Sequence, residues 1–296
     1  MDNFDRLKRE SITIAGHYAL SDRQDFKRYA ERIINCAPNI RFRVQPGEIS
    51  PGVLLAHIEN VRWCRVRQCP LCQYAKVCKW RAKFFQGLTR LSREYPNYRW
   101  LFLTLTIKNC SIDTLKVNIR QMSSSWYRLL NHRSLEMIVG YVRSLEITRS
   151  DCGEAHPHYH VLLLMPSEYF SEGFLKTEDW VRLWRKSARL DYQPIVHVKA
   201  VKSGYSQSFL DGLLETVKYS VKPSDLSIDA NWLYLFTDQT HRLKSITVGG
   251  LVSQYIHQRS IDQIDSTLVT GDEKRQAGVL GAFCWNCQNE LYDLEL

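Results

Sequence analysis

Apolar and polar residues alternate in several stretches of the middle of the chain, and a spacing of two predicts β-strands. The strand candidates are "YRWLFLTLTI", "MIVGYVRSLEITR", "HPHYHVLLLMP" and "PIVHVKAV". Helical spacing takes over between and after them, in "IDTLKVNIRQMSSSWYRLLN", "TEDWVRLWRKSARL" and "SFLDGLLETVKYSVK". The turn-rich "SDCGEA" joins two of the strands as a hairpin. This order predicts an α+β fold of ferredoxin- or RRM-like type, with an antiparallel-centred sheet and helices on one face.

The same pattern divides the chain into four segments. Residues 1–60 form an N-terminal extension, and residues 61–95 contain a cysteine-rich knuckle followed by a long basic helix. Residues 96–225 hold the predicted sheet, and residues 226–296 form a C-terminal extension with a second pair of close cysteines. We therefore expect one main α+β domain with helical extensions and a metal-binding knuckle.

Positive charge is concentrated in one part of the chain. The net charge is +9, and the segment from 61 to 100 has ten basic residues against the single acid Glu94. Trp63, Tyr74 and Trp80 lie among them, and basic groups beside aromatic rings suit a nucleic-acid backbone and its bases. A solvated surface gives such a run as well, so the charge alone does not decide between the two.

No membrane partner is expected. The densest apolar run, "VLLLM", is far shorter than the ~20 residues that a membrane span needs. The opening "MDNFDRLKRE" is charged and lacks the apolar centre of a secretory signal. Both features favour a cytoplasmic protein.

Three histidines occupy alternate positions of one predicted strand. His156, His158 and His160 therefore face the same side, and paired imidazoles on one face are typical of metal sites. If the hairpin turns near Cys152, Glu146 lies opposite His158 and adds a carboxylate to the histidine pair. The result would be a divalent-metal site with open positions, whereas a register shift of one residue would turn Glu146 away.

A second group of polar residues shares one face of the helix before Pro223. Glu215, Tyr219 and Lys222 are spaced four and three residues apart. A tyrosine can attack phosphorus, but its phenol has a pKa near ~10 and needs help, which a metal and a nearby lysine can supply. Glu215 could position water or act as a base. This spacing is common on helices, so its value depends on the histidines.

The nine cysteines are clustered, which in a cytosolic chain favours metal over disulfides. "CPLC" and "CWNC" each have the form of half a zinc ribbon. One interpretation joins the two halves, and its ligands are Cys69, Cys72, Cys284 and Cys287. A rival set is Cys64, Cys69 and Cys72 with one further ligand. Cys78 is expected to pack within a helix, and the remaining cysteines are expected to be ordinary thiols: Cys36, Cys110 and Cys152.

Three motifs in order give the chain a resemblance to HUH endonucleases. They are "FLTLT" at 102–106, "HPHYHVLL" at 156–163 and "YSVK" at 219–222. With "CRVRQCPLCQ" upstream and Glu215 four residues before Tyr219, the chain more closely resembles the rolling-circle replication initiators of small bacterial plasmids. The resemblance covers roughly residues 61–225.

The resemblance implies roles for individual residues. His158 and His160 would be the HUH pair, with Mg²⁺ or Mn²⁺ as the metal. Tyr219 would be the nicking nucleophile, and Glu215 would direct water in the terminating cleavage. Glu146 is expected to be the third ligand of this metal. His156 is a less favoured candidate for the third ligand, or it could contact DNA.

The resemblance also implies partners. The expected reaction is transesterification on single-stranded DNA at a plasmid origin, after which a DNA polymerase extends the free 3′-hydroxyl. The sequence holds no G-x-x-x-x-G-K-[ST] segment. Strand separation would therefore come from the shape of the origin, from supercoiling or from a host helicase.

Two alternatives remain open at this point. A single-tyrosine HUH transposase would share every motif. A zinc-ribbon DNA-binding regulator without catalysis would explain the cysteines and the charge, although it has no use for the histidine strand or for Tyr219.

Overall fold

The computed structural model describes residues 2–46, 54–171, 173–201, 212–213, 215–218, 220–257 and 279–294. The chain forms two compact units. The terminal unit comprises Met1–Lys79, Leu226–Ala230 and Arg259–Leu296, and the central unit comprises Trp80–Asp225 and Asn231–Gln258. In the part of the chain that the structure describes, no helix combines the length and the hydropathy that a membrane crossing requires.

Helices and strands are interspersed along the described chain. The helices are α1 (Asp2–Ala19), α2 (Gln24–Ile34), α3 (Pro70–Glu94), α4 (Leu115–Leu130), α5 (Thr177–Ala188), α6 (Pro223–Ser227), α7 (Ala230–Thr240) and α8 (Leu251–Ile256). The strands are β1 (Asn39–Pro46), β2 (Leu54–Val61), β3 (Tyr98–Thr106), β4 (Gly140–Arg149), β5 (Ala155–Pro166), β6 (Val196–Ala200), β7 (Ile246–Gly250), β8 (Val279–Asn286) and β9 (Leu291–Leu294).

The central unit is built on a five-stranded sheet in the order β6-β3-β5-β4-β7, and each neighbouring pair is antiparallel. The hairpin of β4 and β5 lies at its centre, as the sequence predicts. In β5, the run from Val161 to Met165 is fully buried, because a central strand is covered on both faces. The prediction of an α+β fold with an antiparallel-centred sheet is confirmed.

Helix α4 packs on one face of this sheet. Its buried residues recur at intervals of three and four, which places them on one side of the helix: Leu115, Ile119, Met122, Trp126 and Leu129. The Trp126 ring meets Tyr141 of β4 edge-on, and Ser123 lies 3.1 Å from the hydroxyl of Tyr159 on β5. Tyr159 alternates with His158 and His160 along β5, so α4 covers the face opposite to the two histidines.

At one glycine, the edge strand β7 comes very close to the backbone of the residues that precede β4. Gly250 has φ +59°, and a Cβ there would lie 2.2 Å from the carbonyl oxygen of Val139. Only glycine has both the backbone freedom and the space for this position. Gly250 therefore allows β7 to complete the sheet beside β4.

The terminal unit has a sheet of its own, in the order β2-β1-β8-β9. Strand β1 pairs with β2 and with β8, so residues from near both chain ends share one sheet. The backbone N–H of Tyr292 donates to Asp5 over 2.8 Å, and its hydroxyl donates to the carbonyl of Ala37. The residues near the C-terminus are thereby fixed against α1 and the start of β1.

Candidate active site and metal centres

The β4–β5 hairpin brings three potential metal ligands together. Glu146 pairs with His158 across the hairpin, which is the register that the sequence analysis assumes. Oε2 of Glu146 lies 2.7 Å from Nε2 of His160 and 3.1 Å from Nε2 of His158. The ligand atoms of the three residues all lie within 4.8 Å of one another. We call this group the Glu/His triad.

The triad is buried on the sheet. Glu146 is 8% exposed and His160 is 6% exposed. Burial raises the pKa of Glu146, but hydrogen bonds and charge interactions with His158 and His160 outweigh it and hold this pKa well below its ordinary value. Near neutral pH the carboxylate is therefore ionised, as a metal ligand must be.

Neighbouring groups orient both imidazoles. Nδ1 of His158 lies 3.2 Å from the carbonyl oxygen of His156, which requires a proton on that nitrogen. Thr104 Oγ1 lies 3.4 Å from Nδ1 of His160, and Phe102 stacks on the His160 ring with centroids 5.9 Å apart. These contacts orient both rings so that Nε2 of each points towards the carboxylate of Glu146.

The donor set of the triad fits a divalent cation. Two imidazole nitrogens and one carboxylate oxygen converge, and three protein ligands leave positions for water or substrate. His156 is not in this convergent group among the described residues, and its ring centroid lies 5.4 Å from that of His158. Burial, together with the charge of His158, lowers the pKa of His156.

Phe102 and Thr104 are residues whose roles the sequence reasoning missed. The motif "FLTLT" supported only the resemblance, and no role was assigned to either residue. The pairing of Thr104 with His160 across β3 and β5 places it beside the imidazole. A strand pattern with Thr104 and Thr106 on one face was visible in the sequence, but the pairing partner was not.

Glu215 lies beside the triad, and its Oε1 is 3.9 Å from Nε2 of His160. Its side chain is 41% exposed and forms an ion pair with Lys218, a residue that the sequence analysis did not single out. Lys222 is exposed. Tyr219 lies outside the described residues.

The segment around Glu215 is held from two sides within the central unit. The N–H of Ile147, next to Glu146, donates to the carbonyl of Ser220 over 2.9 Å. Nε of Arg81 on α3 donates to the carbonyl of Val217 over 3.2 Å. Val217 itself is buried, which fixes the inner side of the segment. The sequence indicated only a DNA-binding surface for the basic helix, so this positioning contact of Arg81 is new.

Four cysteines converge in the terminal unit. Sγ of Cys72 lies 3.6 Å from Sγ of Cys36 and 3.5 Å from Sγ of Cys64, and Cys69 completes a group whose sulfur atoms lie within 4.8 Å of one another. Cys36 follows α2, Cys64 follows β2, and Cys69 and Cys72 lie at the start of α3. We call this group the four-cysteine cluster.

Backbone amides surround the sulfur atoms. The N–H of Arg65 donates to Cys72 over 3.3 Å, and the N–H of Cys64 donates to Cys36 over 3.4 Å. Hydrogen bonds from the other three thiols lower the pKa of Cys69 and favour its thiolate. Four sulfur ligands at these separations fit tetrahedral Zn²⁺.

A buried lysine lies next to the four-cysteine cluster. Lys8 is 2% exposed, and its Nζ donates to the carbonyls of Cys36 and Ile34 over 2.6 and 2.8 Å. Burial lowers the pKa of Lys8, and the negative charge of the surrounding cysteines opposes this effect. A cation at this position balances part of the negative charge that a thiolate cluster carries.

The ligand group differs from the zinc ribbon that the sequence analysis proposed first. Cys284 and Cys287 are exposed near the β8–β9 turn and are not in the four-cysteine cluster. Cys36 takes part instead, so the interpretation of Cys36 as an ordinary thiol is wrong. The arrangement has the form of the rival set, with Cys36 as the further ligand. Cys36 could not be identified as a ligand from the sequence because it lies far along the chain from the other three cysteines. Only the packing of α2 against the loop before α3 brings it close to them.

Among the described residues, three further cysteines belong to neither ligand group. Cys110 is half-buried and Cys152 is exposed in the hairpin turn. Cys78 lies within α3 as predicted, but its side chain is exposed, so the prediction that it is a packing residue is wrong.

Comparison with known proteins places this chain in a family. The replication protein family Rep_1 matches residues 55–293. Proteins named "Protein rep" are 28% identical in Streptococcus pneumoniae serotype 2 (strain D39 / NCTC 7466) and 31% identical in Lactiplantibacillus plantarum. The first match covers 88% of this chain and 83% of the relative, and the second covers 90% of this chain and 85% of the relative. A third relative with the same name, from Lentilactobacillus hilgardii, is 30% identical over 85% of this chain and 81% of its own length.

No solved structure matches the chain significantly. The family match extends over most of the sequence, including the Glu/His triad, Glu215 and three of the four clustered cysteines. The chain thus belongs to the Rep_1 family of replication proteins, and it is a plasmid rolling-circle replication initiator.

Proposed function

We propose that the protein nicks and rejoins single-stranded DNA at a plasmid origin through a covalent 5′-phosphotyrosine. The observation that carries the proposal is the convergence of Glu146, His158 and His160, with Glu215 3.9 Å from His160. A protein that only binds DNA has no need for a buried carboxylate between two oriented imidazoles.

Glu146, His158 and His160 would hold Mg²⁺ or Mn²⁺. When bound, the cation polarises a phosphoryl oxygen and offsets the negative charge that develops on it. The protein's own part is to present ionised Glu146 and two lone pairs at fixed positions, supported by Thr104 and the carbonyl of His156.

Tyr219 is proposed as the nucleophile. Its phenolic oxygen forms a bond to phosphorus while the bond from phosphorus to the 3′-oxygen breaks, so the 5′-phosphate stays on the tyrosine. The leaving 3′-oxygen takes a proton and becomes a primer end. Lys222 would favour the phenolate, because a nearby positive charge lowers the pKa of a phenol. Support comes from Glu215 and Ser220, which bracket Tyr219 in sequence and contact His160 and Ile147.

Glu215 is proposed to act at termination. A water molecule attacks the phosphorus of the regenerated origin, and Glu215 accepts the proton of that water while the 3′-oxygen leaves. The released 3′-hydroxyl then attacks the phosphotyrosine, which rejoins the strand and frees Tyr219. The half-exposed carboxylate of Glu215 beside His160 suits this role, because it reaches both solvent and the triad.

Other proteins would complete replication in the bacterial cytoplasm. A DNA polymerase extends the 3′-hydroxyl, and a host helicase separates the strands. The sequence has no phosphate-binding G-x-x-x-x-G-K-[ST] motif for an ATPase, and the shape of the origin or supercoiling could separate the strands instead of a helicase.

The four-cysteine cluster is proposed to hold a structural Zn²⁺. It joins the end of α2, the end of β2 and the start of α3, and a tetrahedral ion would hold these three elements together. The zinc would thereby stabilise the terminal unit without taking part in cleavage.

The proposal predicts a covalent protein–DNA adduct that depends on one tyrosine. End-labelled single-stranded origin DNA is incubated with Mn²⁺ and the protein, denatured and separated on a gel. Tyr219→Phe should abolish the adduct, because the nucleophilic oxygen is gone. Tyr127→Phe, an exposed tyrosine on α4, is the matched control and should keep it.

Two further variants separate the steps. His158→Ala should weaken adduct formation through loss of the cation, and Glu215→Ala should leave initial nicking intact while it impairs the terminating cleavage. An undiminished adduct in Tyr219→Phe would reject the assigned nucleophile.

A further inference from the structure

Two side chains of strand β6 lie on the same face of the central sheet as the Glu/His triad. His197 pairs with Thr104 of β3, and Thr104 pairs in turn with His160 of β5. Directly paired residues share one face of a sheet, so the three residues form one row on the triad side. Lys199 pairs with Phe102, two residues along β3 from Thr104, and therefore faces the same way. We call His197 and Lys199 the edge pair.

Burial agrees with this orientation of β6. Val196, whose side chain points to the other face, is 5% exposed, whereas both members of the edge pair are exposed. The strand lies at one edge of the five-stranded sheet. Oγ1 of Thr106 donates to the carbonyl of Ile195 over 2.9 Å, which fixes the start of β6 against β3. The edge pair is thus presented to solvent from a strand that is held in place.

Both members of the edge pair lie beside residues that orient His160. His197 is next to Thr104, whose hydroxyl is 3.4 Å from Nδ1 of His160. Lys199 is next to Phe102, whose ring stacks on that of His160. Neighbouring strands are about 4.8 Å apart, so β6 lies about 10 Å from the strand that carries the histidine ligands.

This separation is short on the scale of a DNA strand. Each strand of a duplex advances about 3.4 Å per nucleotide, and an extended strand advances further. A distance of about 10 Å therefore corresponds to about three nucleotides or fewer. DNA with one phosphate at the triad can reach the edge pair with a phosphate that follows closely.

The chemistry of the edge pair suits a DNA backbone. Lys199 carries a positive charge, His197 has at least one N–H donor in either protonation state, and the sequence of β6, "VHVKA", contains no acid. Lysine binds phosphate as a point charge and does not read the base. At the other edge of the sheet, the same two rows end in Ile246 and Val248 of β7, which are apolar. Charge therefore favours β6 as the edge along which the DNA runs.

We propose that the edge pair binds the backbone of the single-stranded DNA that flanks the cleaved bond. Lys199 neutralises one phosphate, and His197 donates a hydrogen bond to the backbone beside it. These contacts hold the strand in register with the triad and do not depend on the base sequence. The inference rests on the proposed function, which supplies the DNA and the position of the cleaved bond.

The salt dependence of binding is the first test. Binding of single-stranded origin DNA is measured by fluorescence anisotropy with Mn²⁺ at several salt concentrations, in the Tyr219→Phe protein so that the DNA stays uncut. Each phosphate contact on a single strand contributes about 0.7 to the slope of log K against log salt concentration. Lys199→Gln should therefore reduce the slope by about 0.7, and Lys199→Arg should keep it because the charge remains.

Lys186→Gln is the matched control. Lys186 is exposed on α5, where the carbonyl of Ser187 accepts a hydrogen bond from Arg128 of α4, the helix on the opposite face of the sheet. This variant loses the same charge as Lys199→Gln, but it should keep the slope of the parent protein. An equal reduction in both variants would show an effect of net charge only and would reject the contact.

Neutral phosphates locate the contact. A methylphosphonate replaces each phosphate around the nick in turn, and binding is measured as before. One replacement within about three nucleotides of the cleaved bond should weaken binding when Lys199 is present and have little further effect in Lys199→Gln, because the interaction is already lost. His197→Ala should weaken binding by about fivefold, the size expected for one hydrogen bond.

The outcomes separate the edge pair from the nicking chemistry. An unchanged slope in Lys199→Gln, or a coupled phosphate that lies further than about three nucleotides from the cleaved bond, overturns the inference even when wild type forms the adduct normally. If wild type forms no adduct but Lys199 couples to one phosphate of the origin strand, the nicking proposal fails and the DNA contact stands.

Discussion

His160 depends on two neighbours from β3 for its orientation. Thr104 lies near its Nδ1, and Phe102 stacks on its ring, so the rotation of the ring is restricted. His158 instead uses a backbone carbonyl of its own strand. The two imidazoles are therefore oriented towards Glu146 by different contacts. Only the contacts that orient His160 come from side chains and can be removed by a substitution.

Thr104→Val tests this support at the residue scale. Valine keeps the shape of threonine but removes the hydroxyl, so Mn²⁺ affinity should fall by about 10–100-fold. Calorimetric titration with Mn²⁺ measures it. Thr148→Val makes the same change on β4 opposite His156 and should leave the affinity within about threefold. An affinity in Thr104→Val equal to that in Thr148→Val would remove Thr104 from the site.

At the scale of elements, the four-cysteine cluster depends on three separate pieces of chain. Cys69 and Cys72 are close in sequence and were visible as a zinc half-site. Cys36 arrives only because α2 ends beside the loop that precedes α3, where the N–H of Ala37 bonds to the carbonyl of Arg62 over 2.9 Å. Zinc would therefore stabilise contacts between elements rather than any single element.

Cys36→Ser and Cys284→Ser distinguish the two ligand sets. Cys36→Ser should lower the zinc content well below one ion per chain and lower the unfolding temperature by several degrees, because one of four ligands is lost. Cys284→Ser should retain the zinc and change the unfolding temperature little. Metal analysis and thermal unfolding measure both quantities. Zinc loss in Cys284→Ser with full retention in Cys36→Ser would restore the zinc-ribbon pairing.

At the scale of the whole molecule, the two candidate metal centres belong to different units. The four-cysteine cluster lies in the terminal unit and the Glu/His triad in the central unit. Their ligands also differ in kind, since buried thiolates hold zinc tightly whereas one carboxylate with two imidazoles leaves open positions. Loss of one metal should therefore have consequences distinct from loss of the other.

Stepwise chelation checks this separation. Brief EDTA treatment should abolish adduct formation and leave the unfolding temperature nearly unchanged, and added Mn²⁺ should restore the adduct. Release of zinc by a thiol-modifying reagent should instead lower the unfolding temperature, because folding of the terminal unit is coupled to the ion. If brief EDTA treatment caused both losses together, the two centres would not be independent.

Local pattern was sufficient for much of the sheet and of the triad. The alternation of "HPHYHVLL" defined which histidines share a face, and the length of the hairpin turn aligned Glu146 with His158. These features depend on strand geometry and on a short connection, both of which are written in neighbouring residues. The assignment of catalytic roles to Tyr219 and Lys222 stays a prediction.

Long-range contacts decided the rest. The sequence alone determined the α+β order, the histidine face and the half-site of Cys69 and Cys72, because each needs only residues close along the chain. Only the tertiary structure brought in Cys36, Thr104 and Arg81, because their partners lie tens of residues away and packing sets the pairing. Short-range geometry follows the same rules in every chain, whereas these long-range contacts depend on how all the elements pack together.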